Sequence, residues 1–543
     1  MKRKIFQSTL VLLLTFVIIF SASGCGPKAT EDAEQPEATL PEASEGASVT
    51  PEEDSQISEN SATYAVAGDL PSLDPPYMLS HDTTVGFNVY ETLTLWTPDE
   101  GVIPALATEW ESNAEGTEWT FKLREGVKFH DGSTLDANDV KASLDRNIGV
   151  GMVAYDFVGV ESIEAVDDLT VRFIASEPRN LPLILTASYG MFIYTSEAAE
   201  MNDSEWFNAG NDAGSGPYKV ASFEPGKSVI LQMFPDYWGG WQEGQFTQVI
   251  LEIVEDPTVR DQMIRSGEAD IAMQLPFDSL ASLEAIDELT VLPFVPLAFM
   301  IGGFDLNSAP LDNLLVRQAL VQTYPYEDVQ QTVFLGNGEI PKGFGTNFLW
   351  DPPEDFPRWQ YDLEAARALL EQAGMADGFE LNAALLTGSQ EVLSVAELWK
   401  AELAKLNITL NVQPLSSGAF WDYAYNPDNE EFNIFLMVPT GDIPALWPEL
   451  ICYTSTPYGW MPYIQYNNPA FDELVFQAWA QEATDPDAAR ITWINAQRIL
   501  HDDAVSVFML DYPYVAVFTD SLAGYQPNEA YVSIIFFYQL RRQ

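Results

Sequence analysis

The chain carries 81 Asp and Glu against 25 Lys and Arg, with three histidines, so carboxylates are the groups with which it can do chemistry. Adjacent acids such as Asp167-Asp168 and Asp502-Asp503 arise by chance at this density, and spacing alone marks no glycosidase pair among them. His81, His130 and His501 lie too far apart in sequence to suggest a zinc site. No G-x-S-x-G, Walker or H-E-x-x-H sequence occurs. One acid is placed differently. Thr440-Gly441-Asp442 follows the apolar run Ile434 to Val438, so Asp442 is expected just beyond a strand's end, where open α/β sheets bind ligands. A carboxylate there needs a cation once water is excluded. The same position, two residues before Pro444, also suits an Asx-turn or a helix cap.

The elements that must hold such a residue read as α/β. Phe121 and Leu123 alternate with polar neighbours, Glu125-Gly126 turns the chain, and Val127 and Phe129 repeat the period of two. After a turn at His130-Asp131-Gly132, Asp136 reads as a helix N-cap, with Asp139 in the first turn and Val140 and Leu144 on one face. Val249 to Val254 is nearly continuous apolar, the pattern of a strand covered on both faces. Arg260 to Gly267 reads as a short helix, followed by a strand at Ala269-Asp270-Ile271. Further on, Leu315, Val316, Ala319 and Leu320 share a helical face. Asp362 caps a helix bearing Leu363, Ala366 and Leu370, and Gly374 ends it. Val392, Val395, Trp399, Leu403 and Leu406 form the next stripe, before an alternating strand at Ile408, Leu410 and Val412. Another helix is expected from about Ala488 to Leu500. A body this long exceeds one core, so two lobes are expected.

The stretch Phe121 to Arg146 also carries a resemblance. Its pattern L-R-x-G-V-K-F-H-D-G-x-x-L-x-A-x-D-V-x-x-S-L-x-R resembles the signature of the family-5 solute-binding proteins, the peptide- and nickel-type receptors of ABC importers. The likeness continues upstream in Gly68-Asp69, Ser72-Leu73-Asp74-Pro75, Tyr90-Glu91-Thr92-Leu93 and Pro104-Ala105-Leu106-Ala107. Downstream it includes Gly214-Ser215-Gly216-Pro217-Tyr218, Pro235-Asp236-Tyr237-Trp238-Gly239-Gly240, Gly267-Glu268-Ala269-Asp270-Ile271 and Val316-Arg317-Gln318-Ala319-Leu320. It spans nearly the whole chain after residue 63.

The resemblance implies an α/β, two-lobed periplasmic-binding-protein-like fold of the large peptide-receptor class (type II), with the ligand cleft between the lobes. Residues 63–296 would form the first lobe with an extra subdomain, 297–508 the second, and 509–543 the return to the first. The implied protein is a monomeric receptor without enzyme activity, cofactor or metal. Thr440, Gly441 and Asp442 resemble the T-G-D segment of dipeptide receptors, whose aspartate pairs with the peptide's α-ammonium. Ser80, His81 and Asp82 match by position the segment that lies along peptide backbone. There are departures: Pro439 stands where family members carry tryptophan, and no arginine or lysine lies near Leu436 or at Gly388 to Gln390, where relatives place one. These point away from a dipeptide-style carboxylate clamp and toward a longer peptide or a non-peptide ligand. Trp421 and Trp447 offer rings for a sugar or an aromatic side chain, with core packing as their other role. An oligosaccharide receptor is the alternative on the same scaffold, and nickel is poorly served by so few histidines. Outside transport stand a secreted glycan hydrolase and a signalling or structural surface protein.

The start of the chain supplies an address. Lys2, Arg3 and Lys4 precede the apolar run Leu10 to Phe20, which is short for a membrane span and suits a secretory signal. Ala22-Ser23-Gly24-Cys25 resembles a lipoprotein cleavage motif, so residues 1–24 are expected to be a signal peptide and Cys25 the lipidated start. Residues 26–62 hold ten acids against Lys28 and few large apolar groups, so the stretch from 25 to 62 reads as an acidic tether. Such a tether reaches roughly 35 Å. The receptor is thus expected on the outer face of the cell membrane, held by its lipid and partnered by permease subunits. The net charge of −56 excludes nucleic-acid binding, which needs clustered Lys and Arg. Cys452, the second of two cysteines, has no disulfide partner once Cys25 is lipidated and reads as a small buried hydrophobe. Cys25→Ser should release the protein into the medium or stall its processing. Fractionation of cells expressing the variant checks this, and a variant that stays cell-bound and normally processed refutes it.

Overall fold

The computed structural model describes residues 60–151, 153–349, 352–426, 428–456 and 461–543; the signal segment, Cys25 and nearly all of the tether lie outside them. Among the described residues two large sheets organise the body. The first has seven strands in the order Leu289–Phe294, Tyr514–Thr519, Ile271–Met273, Ser61–Val66, Gln248–Ile253, Ser228–Met233 and Tyr218–Glu224. Ser61–Val66 runs parallel to both of its neighbours. Along Gln248–Ile253, Val249 and Leu251 are fully buried whereas Glu252 is exposed. This strand therefore buries one face rather than both, because Glu252 needs water on the other.

The second sheet has five strands in the order Thr409–Leu415, Glu380–Leu386, Ile434–Met437, Phe299–Phe304 and Ser506–Asp511. All six residues of Phe299–Phe304 are buried. The stripes expected to be helical form Leu314–Gln322, Leu363–Gln372 and Gln390–Ala404. Trp399 is wholly buried and donates from Nε1 to Thr323 Oγ1 at 2.8 Å. Asp362 accepts from the amides of Glu364 and Ala365 at 3.0 and 2.9 Å, the cap its position foretold. The chain passes from the first sheet to the second between Phe294 and Phe299. It returns between Asp511 and Tyr514. Because Ser506–Asp511 pairs with Phe299–Phe304, the return begins at Tyr512, later than the sequence pattern suggested.

A four-stranded antiparallel sheet of Ala107–Ser112, Glu118–Leu123, Thr170–Ala175 and Val160–Asp167 forms an additional layer. The helix Ala137–Val150 packs against it and begins in a capping box. Asp136 accepts from the Asn138 amide at 2.7 Å, while the Asp136 amide donates to Asp139 Oδ2 at 2.9 Å. Upstream of this helix, Val127 and Phe129 are buried as expected, but they flank a single bridge, Lys128 to Thr134. The expected second strand does not extend, because the His130 amide turns away to donate to Gly214 O at 2.8 Å. His130 ties the same distant loop through Asp212 and, at 2.9 Å, Gly216 O.

Arg146 closes the signature stretch and explains a second motif. Its guanidinium meets Asp74 in two parallel bonds of 2.7 and 2.8 Å, with both side chains buried. Tyr194 OH and Asn202 Oδ1 also accept from Arg146. Removing one member of such a pair strands a charge in a dry interior. Asp74→Ala should therefore cost about 3–5 kcal/mol of folding stability, measured by urea unfolding; a loss below about 1 kcal/mol would show the pair to be dispensable.

Candidate ligand site

Where the two sheets' halves meet, a pocket of about 130 Å³ is lined from both sides. Ser80, His81 and Tyr189 come from the first half, Thr440 and Gly441 from the second, and Ser533 from the returning segment. Thr440 to Asp442 lies just past Ile434–Met437, as the apolar run predicts. Local packing then aims it. Thr440 bridges to Ala298, and the Gly441 amide donates to Leu297 O at 3.0 Å. A Cβ on Gly441 would stand 2.5 Å from Leu297 Cδ2, so any larger residue would have to push aside the buried Leu297 side chain in the connection between the sheets. Bonds from the first half complete the seam. The Ser188 amide donates to Asp442 O at 2.8 Å, Tyr189 OH and Thr440 Oγ1 are 2.9 Å apart, and Tyr155 OH donates to Asp442 Oδ2.

Asp442 is 1% exposed. Burial raises its carboxyl above the ordinary range, opposed by the hydrogen bond from Tyr155 and by the close approach of the Asp156 carboxyl. Its Oδ1 has no hydrogen-bond partner. Asp442 thus sits at the seam and is wholly desolvated.

Ser80 is exposed and His81 half-buried, while Asp82 is fully buried. The Ser80 amide donates to Asp82 Oδ1 at 2.8 Å, and Thr83 Oγ1 donates to Ser80 O at 2.6 Å at the head of the helix Thr83–Val89. This turn offers Ser80 and His81 to the pocket while Asp82 shapes it from behind. Burial pushes Asp82 up to about 7, and burial lowers His81. The tryptophans stand elsewhere. Trp447 is fully buried with its ring stacked on Trp479 at 5.0 Å, a core contact. Trp421 is half-buried and stacks on Tyr425 at 5.4 Å, away from the pocket lining. Cys452 is buried and free, its thiol donating to Glu449 O at 2.9 Å.

Sequence reasoning passed over Tyr155, Asp156, Ser188 and Tyr189. Ser188 and Tyr189 are embedded in the apolar stretch Leu181 to Tyr194, and Asp156 is one acid among many.

Two halves of the fold thus meet at a shared pocket lined by groups from both. Residues 101–458 match the model of the bacterial extracellular solute-binding proteins, family 5 (Middle), and the chain belongs to that family. The fold is the two-lobed periplasmic-binding-protein fold of the peptide-receptor class, and the protein is a solute-binding receptor rather than an enzyme. Over 478 residues it is 26% identical to the glutathione-binding protein GsiB of Pectobacterium atrosepticum, covering 86% of this chain and 91% of that one. It is 24% identical over 448 residues to the dipeptide-binding protein of Escherichia coli, covering 75% of this chain and 80% of the relative. Among solved structures, the Helicobacter pylori periplasmic binding protein DppA in complex with the peptide STSA aligns with a TM-score of 0.77 and 22% identity, over 89% of this chain and 98% of that one.

Two buried acids, Asp82 and Asp511, and the half-buried Glu91 give the body a distinctive pH response. Burial raises Asp82, Glu91 and Asp511 each to about 7, above an unfolded value near 4. A folded-state pKa that is raised contributes stability below the unfolded value, and that contribution is lost as pH rises through the folded value. Thermal unfolding should therefore show the melting temperature falling between about pH 4 and pH 7, with Asp82→Asn flattening the slope. A melting temperature that climbs across this window would contradict the assignment.

Proposed function

We propose that this protein is the substrate-binding lipoprotein of an ABC importer, which closes its lobes over a peptide and delivers it to the membrane permease. In this reading Cys25 carries the lipid, and the tether runs from there only to residue 60, because Ser61 and Ala62, expected in the tether, open the strand Ser61–Val66; the body works as a monomer on the outer face of the membrane. The lobes divide at residues 295–298 and 512–513, where the chain passes between the two sheets. The ligand stabilises the closed arrangement because it touches groups from both lobes only when they meet.

The observation that carries this reading is Asp442. It lies at the seam, it is desolvated, and it retains a buried oxygen without a donor, while no lysine, arginine or histidine is paired with it among the described residues. The positive charge such a carboxylate requires is best supplied by a ligand's α-ammonium. The Ser80–His81 turn supports peptide backbone by main-chain contacts, which hold an extended peptide without choosing its sequence. Names of relatives that bind glutathione and dipeptides point to the same class of solute.

Isothermal titration with alanine peptides of two to five residues tests the reading. Peptides with a free amino terminus should bind the wild type, and their N-acetylated forms should not. Asp442→Asn keeps the shape and removes the charge. Loss of a buried pair at about 2–5 kcal/mol predicts a roughly thirty- to several-thousand-fold weaker affinity. Equal binding of acetylated and free peptides would move the anchor away from Asp442.

A further inference from the structure

Asp156 is wholly buried in the turn between Ala137–Val150 and Val160–Asp167. It meets Asp442 side by side across the seam. Both Asp156 carboxyl oxygens and Asp442 Oδ1 are buried without a hydrogen-bond partner, whereas Asp442 Oδ2 is taken by Tyr155 OH. The groups facing the pair are Tyr155 and Tyr189, with Asp82 beyond Tyr189. Neither acid joins an ion pair with a cation of this chain among the described residues. Two carboxyls in contact and out of water do not both ionise, since like charges at that range raise one of them strongly. Something positive must stand between them.

We propose that Asp156 is the second acceptor of the cation site: in the absence of ligand it shares one proton with Asp442, and a primary ammonium group of the ligand displaces that proton when it binds. The inference rests on the peptide reading for the source of the ammonium. Three oxygens lack donors, and a primary ammonium carries three N–H donors. A hard metal ion fits poorly, because two carboxylates fall far short of the six to eight oxygens that calcium takes (about that many). Among the described residues no group of three or more His, Cys, Asp or Glu is arranged for a metal. The exchange balances: one proton leaves to the buffer, one ammonium enters, and the charge of the seam is unchanged. Burial and the neighbouring Asp442 charge push the Asp156 carboxyl well above its ordinary range, in keeping with Asp156 as the proton's main residence. A receptor built this way binds more weakly in acid. Below the pair's titration, affinity falls about tenfold per pH unit, the linkage of one proton to one ligand.

Two measurements decide it. Titration of tri-alanine into the wild type, in buffers of different ionisation heat at one pH, should count about one proton released per peptide. Asp156→Asn keeps the side chain's shape but has no proton to give, so the count should fall to near zero and the pH slope should flatten. An unchanged count, or none in the wild type, overturns the exchange. Infrared difference spectra of protein refolded free of ligand provide the second readout. A protonated-carboxyl band over and above the constant background from Asp82, Glu91 and Asp511 should be present in the wild type, absent in Asp156→Asn, and bleached by saturating tri-alanine or methylammonium. Absence of that band, or its persistence under saturating methylammonium, overturns the proposal whatever tri-alanine does. A band that methylammonium bleaches while tri-alanine gives no heat would support the acid pair and sink the peptide reading alone.

Discussion

A carboxylate removed from water demands a positive partner, and in this protein that demand falls where the halves built on the two large sheets meet. Asp442 stands past the end of one half's strand and is buried where Tyr155 and Ser188 of the other half bond to it and Tyr189 bonds to the neighbouring Thr440. Opening the lobes would return the carboxylate to water, where it needs no partner. Closing them imposes a desolvation cost of several kcal/mol on each unpaired charge, by general experience with buried ions. A ligand that brings its own cation removes that cost in the closed state alone. Such a difference between states is what couples binding to closure.

The rest of the fold serves to bring these groups to one place. Gly441 lies against Leu297, so the T-G-D segment is fixed directly to the connection between the two sheets. On the other side, the Arg146–Asp74 pair and the His130 contacts with Asp212 and Gly216 anchor the loops of the first lobe to one another. No residue of the signature stretch lines the pocket. Its role is to lock the helix Ala137–Val150, from whose end the turn carrying Tyr155 and Asp156 departs. The returning segment is tied to the helix Thr83–Val89 through Asn88, which donates to Ile535 O at 2.7 Å and accepts from the Phe537 amide at 2.9 Å. That contact brings Ser533 to the pocket beside Ser80 and His81.

Local patterns were legible where local physics decides them. The caps at Asp136 and Asp362, the apolar stripes of the second lobe and the place of Asp442 after its strand all rest on neighbours within a few residues. Legibility failed where the partner is remote. Val127 and Phe129 have a strand's period, but a strand needs a neighbour, and the nearby backbone bonds instead to Gly214. Ser506–Asp511 is buried at all six positions, so no alternation marked it as belonging to the second sheet. Tyr155 and Asp442 are separated by 287 residues, and an acid among 81 carries no signal of its own. The second carboxyl of the site was therefore invisible until the lobes were brought together.

If Asp442 anchors the solute, the positive charge at the seam comes from the solute itself. Mass spectrometry of small molecules released by denaturing the protein, purified from its native host under non-denaturing conditions, tests this most directly. Peptides with free amino termini should be recovered from the wild type and be much reduced from Asp442→Asn. Recovery of a neutral oligosaccharide, or of a ligand without any amine that the variant retains equally well, would contradict it.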